Sequence, residues 1–185
     1  MYTDEQLKDI AGLIYDTDPY IYPAMFESRE NAQVVIPKMI KAGDSMFRPE
    51  SLFLAMEKDE VIGLILWIKG ALKWDRTIYD RSGGNSPYID RVCQEYFASY
   101  SETPENIISI INVCVKEKTR GKGIGSRMMD SFLESTQGPY ELFVLADNPA
   151  AVKLYEKKGF RIVETMQGFS LESNELPCHR MIRIE

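Results

Sequence analysis

The chain has 185 residues, with 28 acidic side chains against 22 basic ones, a net charge of −6 and a pI near 5.0. A chain of this length can bury a real core within one folded unit, its acidic balance argues against a nucleic-acid partner, and no apolar run approaches the ~18 residues of a membrane span. The start, Met-Tyr-Thr-Asp-Glu-Gln, is acidic and polar, unlike a signal peptide, so the expected location is the cytoplasm.

In chain order, Thr3 and Gln6 form a capping-box start for a helix with Leu7, Ile10, Ala11 and Ile14 on one face, ending before Asp18-Pro19. The next stretch, Tyr20 to Phe26, is dense in aromatics, preceded by Pro19 and interrupted by Pro23, so it reads as a turn or loop. Ser28 caps a second predicted helix carrying Val34, Val35, Met39 and Ile40, which Pro37 bends or ends. Residues 51–56 and 61–68 read as a hairpin around Glu57-Lys58-Asp59-Glu60. The run 70–106 holds a turn-rich segment, Ser82 to Pro87, and then a helix-like stretch with Ile89, Val92, Cys93, Tyr96 and Phe97 on one side. It reads equally as an arm for packing or homodimer contact and as a wall of a binding pocket. Residues 107–115 form an apolar strand, and 140–147 a shorter one. Phe160 to Met166 and Cys178 to Ile184 are strands joined by a polar loop. No repeat, low-complexity tract or linker divides the chain, so residues 1–185 are expected to form one domain.

The chemistry is concentrated behind the strand at 107–115. Five cations, Lys116, Lys118, Arg120, Lys122 and Arg127, crowd there against one acid, Glu117, in an otherwise acidic chain. Gly121, Gly123 and Gly125 let the backbone turn sharply and approach a ligand closely. A helix pattern follows at Ile124, Met128, Met129, Phe132 and Leu133, and its first free N–H groups favour an anion. A P-loop is excluded, because Gly125 is followed by Ser126-Arg127 and not by Lys-Ser/Thr. A dinucleotide fingerprint is excluded as well, since Ser126 or Met128 stands where its third glycine belongs. Further on, Asn148 suits an N-cap, Pro149 the first helical position and Gly159 a left-handed helix end.

Arg-Gly-Lys-Gly-Ile-Gly (120–125) resembles the [QR]-x-x-G-x-[GA] pyrophosphate loop of the GNAT family of N-acetyltransferases, which use acetyl-coenzyme A. The segment Asn148 to Phe160 is similar to that family's N-x-x-A-x-x-L-Y-x-x-x-G-F string. The order of elements agrees over the whole chain, with an enlarged middle. This resemblance implies an α+β fold, a three-layer α/β/α arrangement around a mixed, mostly antiparallel sheet flanked by helices. In the family's count, the insertion 70–106 falls between the third and fourth strands, and the fourth and fifth strands splay apart around the cofactor arm. It further implies that the backbone of Val113, Cys114 and Val115 binds pantetheine. Arg120, Gly121, Lys122, Gly123, Ile124, Gly125 and Ser126 would cradle pyrophosphate, while Asn148, Ala151 and Tyr155 line the cofactor. Tyr155 is the expected general acid, its phenol being protonated at neutral pH. Ser109 stands where some members carry a base and cannot serve; Asp75, Asp80, Glu117 and Asp147 remain as candidates.

Three cysteines, Cys93, Cys114 and Cys178, lack C-x-x-C spacing and read as reduced thiols. His179 is the only histidine, so a multi-histidine metal site is impossible and no metal is expected. Cys178 and His179 would point to opposite faces of one strand. The expected activity is acetyl transfer from acetyl-CoA to a primary amine of a small molecule or a protein. A module that senses acetyl-CoA without turnover is the alternative. The acidic chain and the aromatics Tyr20, Tyr22, Phe26, Trp67 and Tyr79 would suit a cationic or aromatic acceptor.

Overall fold

Capping residues set where the helices begin. In the computed structural model, which describes residues 2–43, 45–72, 74–171 and 176–184, α1 (Asp4–Tyr15) starts at the predicted capping box. Gln6 N donates to Thr3 Oγ1 at 3.1 Å, and Thr3 N to Gln6 Oε1 at 3.0 Å. The aromatic segment expected to be a loop forms a short helix, α2 (Ile21–Phe26). Its Pro23 falls in the first turn, where no intrahelical donor is needed, and Asp18 Oδ1 accepts the amides of Tyr20 and Ile21 at 2.7 and 2.8 Å. Ser28 caps α3 (Arg29–Ala42), which runs through Pro37 without ending. The buried face of α3 is Ala32, Val35, Ile36, Met39 and Ile40, which holds the helix together past the proline. Val34, predicted on that face, is 54% exposed.

The hairpin is β1 (Leu52–Glu57) and β2 (Glu60–Lys69), closed by only Lys58 and Asp59. The insertion then supplies α4 (Arg76–Arg81), α5 (Ile89–Val92), a π-helical turn at Cys93–Phe97 and α6 (Ala98–Ser101). The remainder is β3 (Ile108–Val115), α7 (Ile124–Ser135), β4 (Tyr140–Leu145), α8 (Pro149–Lys157), β5 (Arg161–Gln167) and β6 (Pro177–Arg183). Part of the polar loop predicted before β6, residues 172–175, lies outside the described residues.

The six strands are ordered β1-β2-β3-β4-β6-β5, and every neighbour pair is antiparallel except β3 with β4. The described N-terminal segment enters α1 directly, with no strand before it. The insertion therefore falls between the second and third strands of this sheet, and the splay between its third and fourth, one less than the family count. Alternation along β2 sends Leu64, Leu66 and Ile68 to one hydrophobic cluster and Ile65 and Trp67 to another. The first cluster packs α1, α2, α3 and the insertion on one face of the sheet. The second packs α7 and α8 on the other.

The parting of β3 and β4 creates the functional geometry. They pair at Ile108–Tyr140, Ser109–Glu141 and Ile110–Leu142 and then separate. On its other side, β3 carries an extra residue, Ile111, because Leu66 faces Asn112 while Trp67 faces Ile110. That bulge bends the strand where the pairing with β4 stops.

Candidate active site

A cleft of about 150 Å³ opens in the gap between β3 and β4. Ile111, Asn112 and Val113 of β3 form one wall and Phe143, Val144 and Leu145 of β4 the other. Asn148, Ala151 and Tyr155 close it from α8. From Ile111 to Val115 the edge of β3 has no partner strand, so its backbone polar groups are open to a ligand's amides. Asn148 Oδ1 accepts the Ala151 amide at 3.2 Å and so fixes the start of α8 beside the cleft. Gly159, at φ +84°, ends that helix in the left-handed conformation expected of it.

Tyr155 is 8% exposed and packs edge-on against Phe160. Its hydroxyl has no hydrogen-bond partner among the described residues. Burial, with a further contribution from the nearby Cys114, pushes the phenol well above its ordinary pKa of 10.0. The proton therefore stays on the oxygen throughout the neutral range. Burial likewise raises the Cys114 and Cys178 thiols to about 11, so neither is a ready nucleophile. Cys178 lines the cleft, whereas His179 turns away from it and meets Thr165 Oγ1 at 2.9 Å through Nδ1.

Outside the cleft, the glycine loop leads into the N-terminus of α7. Gly121 and Gly123 have φ of +77° and +73°, a region that costs an L-residue about 1–2 kcal/mol. Gly123 occupies the N-cap with no side-chain cap, and the first amide to find an intrahelical acceptor is Arg127 N, on Gly123 O at 3.1 Å. The amides of Ile124, Gly125 and Ser126 are left without partners among the described residues, an arrangement that favours an anion. The charge cluster divides in two. Lys116 bridges Asp9 and Glu60 at 2.6 and 2.8 Å, and Lys118 pairs with Glu60 at 2.6 Å, so both are committed to structure. Arg120, Lys122 and Arg127 make no ion pair among the described residues. Arg120 Nε donates to Val115 O, and Arg127 Nη1 to Lys122 O at 2.9 Å.

A model of the acetyltransferase (GNAT) family matches residues 18–160, most of the chain. The chain belongs to the GNAT family. Mycothiol acetyltransferase of Corynebacterium jeikeium K411 is 40% identical over 57 residues, 29% of this chain and 16% of that protein. The L-amino acid N-acetyltransferase AaaT of Escherichia coli K12 is 27% identical over 84 residues, 42% of this chain and 52% of its own length. The chain thus spans about half or less of the curated relatives it matches. Among solved structures, an N-acetyltransferase from Staphylococcus aureus Mu50 superposes with a TM-score of 0.72. The match covers 98% of this chain and 97% of the other at 20% identity, a likeness of fold.

Within this GNAT fold, the aromatics expected around an acceptor are not in the cleft. Tyr22 and Phe26 stack on each other in the first cluster, and the Tyr22 hydroxyl donates to Asn112 Oδ1. Tyr79 is 1% exposed, with its hydroxyl donating to Met25 O. Trp67 packs on Phe132 of α7 in the second cluster, and Tyr20 rests against the first. Packing claimed these rings, and for Tyr22 and Tyr79 the hydroxyls also found partners inside the fold. The candidate bases are elsewhere too. Asp75 caps α4 through Thr77, Asp80 pairs with Arg76, and Glu117 and Asp147 are exposed outside the cleft. Ser109 donates to the buried carboxylate of Glu141 at 2.8 Å, which also accepts from Thr103 and pairs with Arg180.

The rest of the cleft is lined by Thr17 and Asp18 before α2 and by Glu95, Tyr96, Ser99 and Tyr100 from the insertion, none of which the sequence had marked as a site residue. The insertion is thus a wall of the cleft. An available signal was Asp18-Pro19, an Asx-turn start that brings a carboxylate into a fixed position.

Proposed function

We propose that this protein transfers an acetyl group from acetyl-CoA to a primary amine by direct attack. The observation that carries this is the gap between β3 and β4 with Tyr155 at its side. Bound acetyl-CoA supplies the activated acetyl group. The uncapped turn Ile124–Ser126, with Arg120, Lys122 and Arg127 around it, holds the pyrophosphate, and the open edge of β3 holds the pantetheine amides. A β3 amide in the Val113–Val115 stretch also polarises the thioester carbonyl as the amine adds. Tyr155 gives its proton to the departing thiolate as the C–S bond breaks. The substituted amine loses its proton to water, since no carboxylate on β3 is available to take it.

The test is to incubate the protein with acetyl-CoA and a panel of primary amines, following free thiol and the mass of the acetylated amine. Stoichiometric thiol and N-acetyl product are expected. Tight acetyl-CoA binding with no thiol release from any amine would instead make the chain an acetyl-CoA-binding module without turnover.

A further inference from the structure

Resting on the acetyl-transfer proposal above, we infer that the acceptor is a small amine carrying a second, cationic nitrogen and no carboxylate, and that Asp18 holds that second nitrogen and so positions the reacting one. The cleft wall opposite α8 contains two carboxylates, Asp18 and Glu95, and among the described residues no lysine, arginine or histidine lines it. Glu95 is already neutralised, since Arg91 Nε lies 2.8 Å from its Oε1. Asp18 is not. It makes no ion pair among the described residues, and only its Oδ1 is occupied, by the amides of Tyr20 and Ile21. Its second oxygen is left for a ligand.

An independent feature points into the same space. The Tyr100 side chain, 1% exposed, lines the cleft, its ring edge-on to that of Tyr96 with centroids 5.6 Å apart. Its buried hydroxyl makes no hydrogen bond of good geometry, the Tyr96 hydroxyl being its polar neighbour among the described residues, so it keeps acceptor capacity for a ligand. A second, non-reacting ammonium on the acceptor offers donors both to the free Asp18 oxygen and to the Tyr100 oxygen, and the rings of Tyr96 and Phe143 give its carbon chain an apolar wall, while the neutral nitrogen at the other end attacks. A free α-amino acid would bring a carboxylate into a wall that has one uncompensated negative charge and no cation to receive another. The cleft encloses about 150 Å³, which favours a short acceptor chain at this end.

The experiment uses matched acceptors that differ only in the carboxylate: 1,5-diaminopentane against L-lysine, and 1,4-diaminobutane against L-ornithine. Thiol release is measured at saturating acetyl-CoA. The carboxylate-free member of each pair should have a kcat/KM at least tenfold higher. Asp18→Asn keeps an oxygen for the two helix amides, so the fold is retained. It should raise KM for 1,5-diaminopentane by about ten- to a hundredfold, the range of one charge-assisted hydrogen bond, and leave KM for acetyl-CoA unchanged. Tyr100→Phe should raise the same KM and leave KM for acetyl-CoA unchanged. Equal or better use of the amino acids, or an Asp18→Asn protein with unaltered amine KM, overturns the inference and leaves acetyl transfer standing. Absence of turnover with every acceptor, amino acids included, overturns both.

Discussion

Gly125→Ala should raise stability and leave cofactor binding intact, whereas Gly125→Val should weaken binding. Gly125 is the second residue of α7 and has no left-handed φ, and a methyl group there would meet only Val115 Cγ2, at the ordinary contact distance of 3.5 Å. An alanine in relaxed helical geometry reduces the entropy of the unfolded chain and stabilises by about 0.4–1 kcal/mol. For a chain of this length, that is about 1–4 °C in Tm. The loop pattern [QR]-x-x-G-x-[GA] admits alanine at this position, so one methyl group leaves the free amides of the first turn open to a phosphate oxygen. The γ-methyls of Gly125→Val reach further, and losing one charge-assisted hydrogen bond of about 1.5–3 kcal/mol weakens binding by roughly ten- to a hundredfold. At a hundred times its Kd, acetyl-CoA should stabilise the wild type by about 2.7 kcal/mol; if Kd rises a hundredfold, the same concentration gives only about 0.4 kcal/mol. Thermal unfolding with and without acetyl-CoA reads both effects. An alanine variant that is less stable alone would contradict the helical geometry at Gly125, and a valine variant with an undiminished ligand shift would remove the phosphate from this turn.

Tyr155→Phe should lower turnover by about 10²–10⁴ while acetyl-CoA affinity stays put, because the proton is needed only as the thiolate leaves; an unchanged rate sinks the acid role. Because burial holds the Tyr155 phenol above its ordinary pKa of 10.0, the pH profile of kcat should show no loss attributable to this residue up to about pH 10; a falling limb near pH 8 that Tyr155→Phe abolishes would contradict it. Hydrogen bonds from Lys116 and then Lys118 hold the Glu60 carboxyl at about 2, below its ordinary 4.5. The stability it contributes is complete above pH 4.5 and is lost as pH falls toward 2, so an NMR titration of Glu60 with a midpoint near 4.5 would refute the bridge. Arg180→Met should cost about 2–3 kcal/mol in chemical denaturation, because it leaves Glu141, 4% exposed, without its cation; the figure lies below that of a fully buried pair because the Arg180 side chain is 40% exposed.

What could be read in the sequence was mostly local. The Thr3–Gln6 box, the Ser28 and Asn148 caps and the left-handed glycines each follow from a few neighbouring residues, and the structure has them in place. The helix α2 was hidden because Pro23 breaks helices in their interior and not in their first turn, and only the fold reveals which position it holds. The extra residue at Ile111 has no sequence marker, being a mismatch between two strands about 45 positions apart. Aromatic density misdirected the search for the acceptor. Tyr22 and Tyr79 look like pocket residues until Asn112 and Met25 O, distant in sequence, are seen to take their hydroxyl protons. The orientation of the insertion was equally out of reach, since periodicity shows that Tyr96 and Phe97 share a side without saying what that side meets.

Three residue pairs join β3 to β4, so the sheet amounts to two three-stranded leaves on a short spine at one end of the gap. Such a spine confers leverage. From Ile111 to Val115 the free edge of β3 extends roughly 16 Å at the rise of a strand, and a rotation of about 5° at the spine would shift its far end by roughly 1.4 Å. Side chains at the spine, Ile110 and Leu142, are buried in the second cluster and are not themselves part of the cleft lining. Altering their volume would nonetheless change the width of the mouth, several residues away, by more than it changes the spacing at the spine itself.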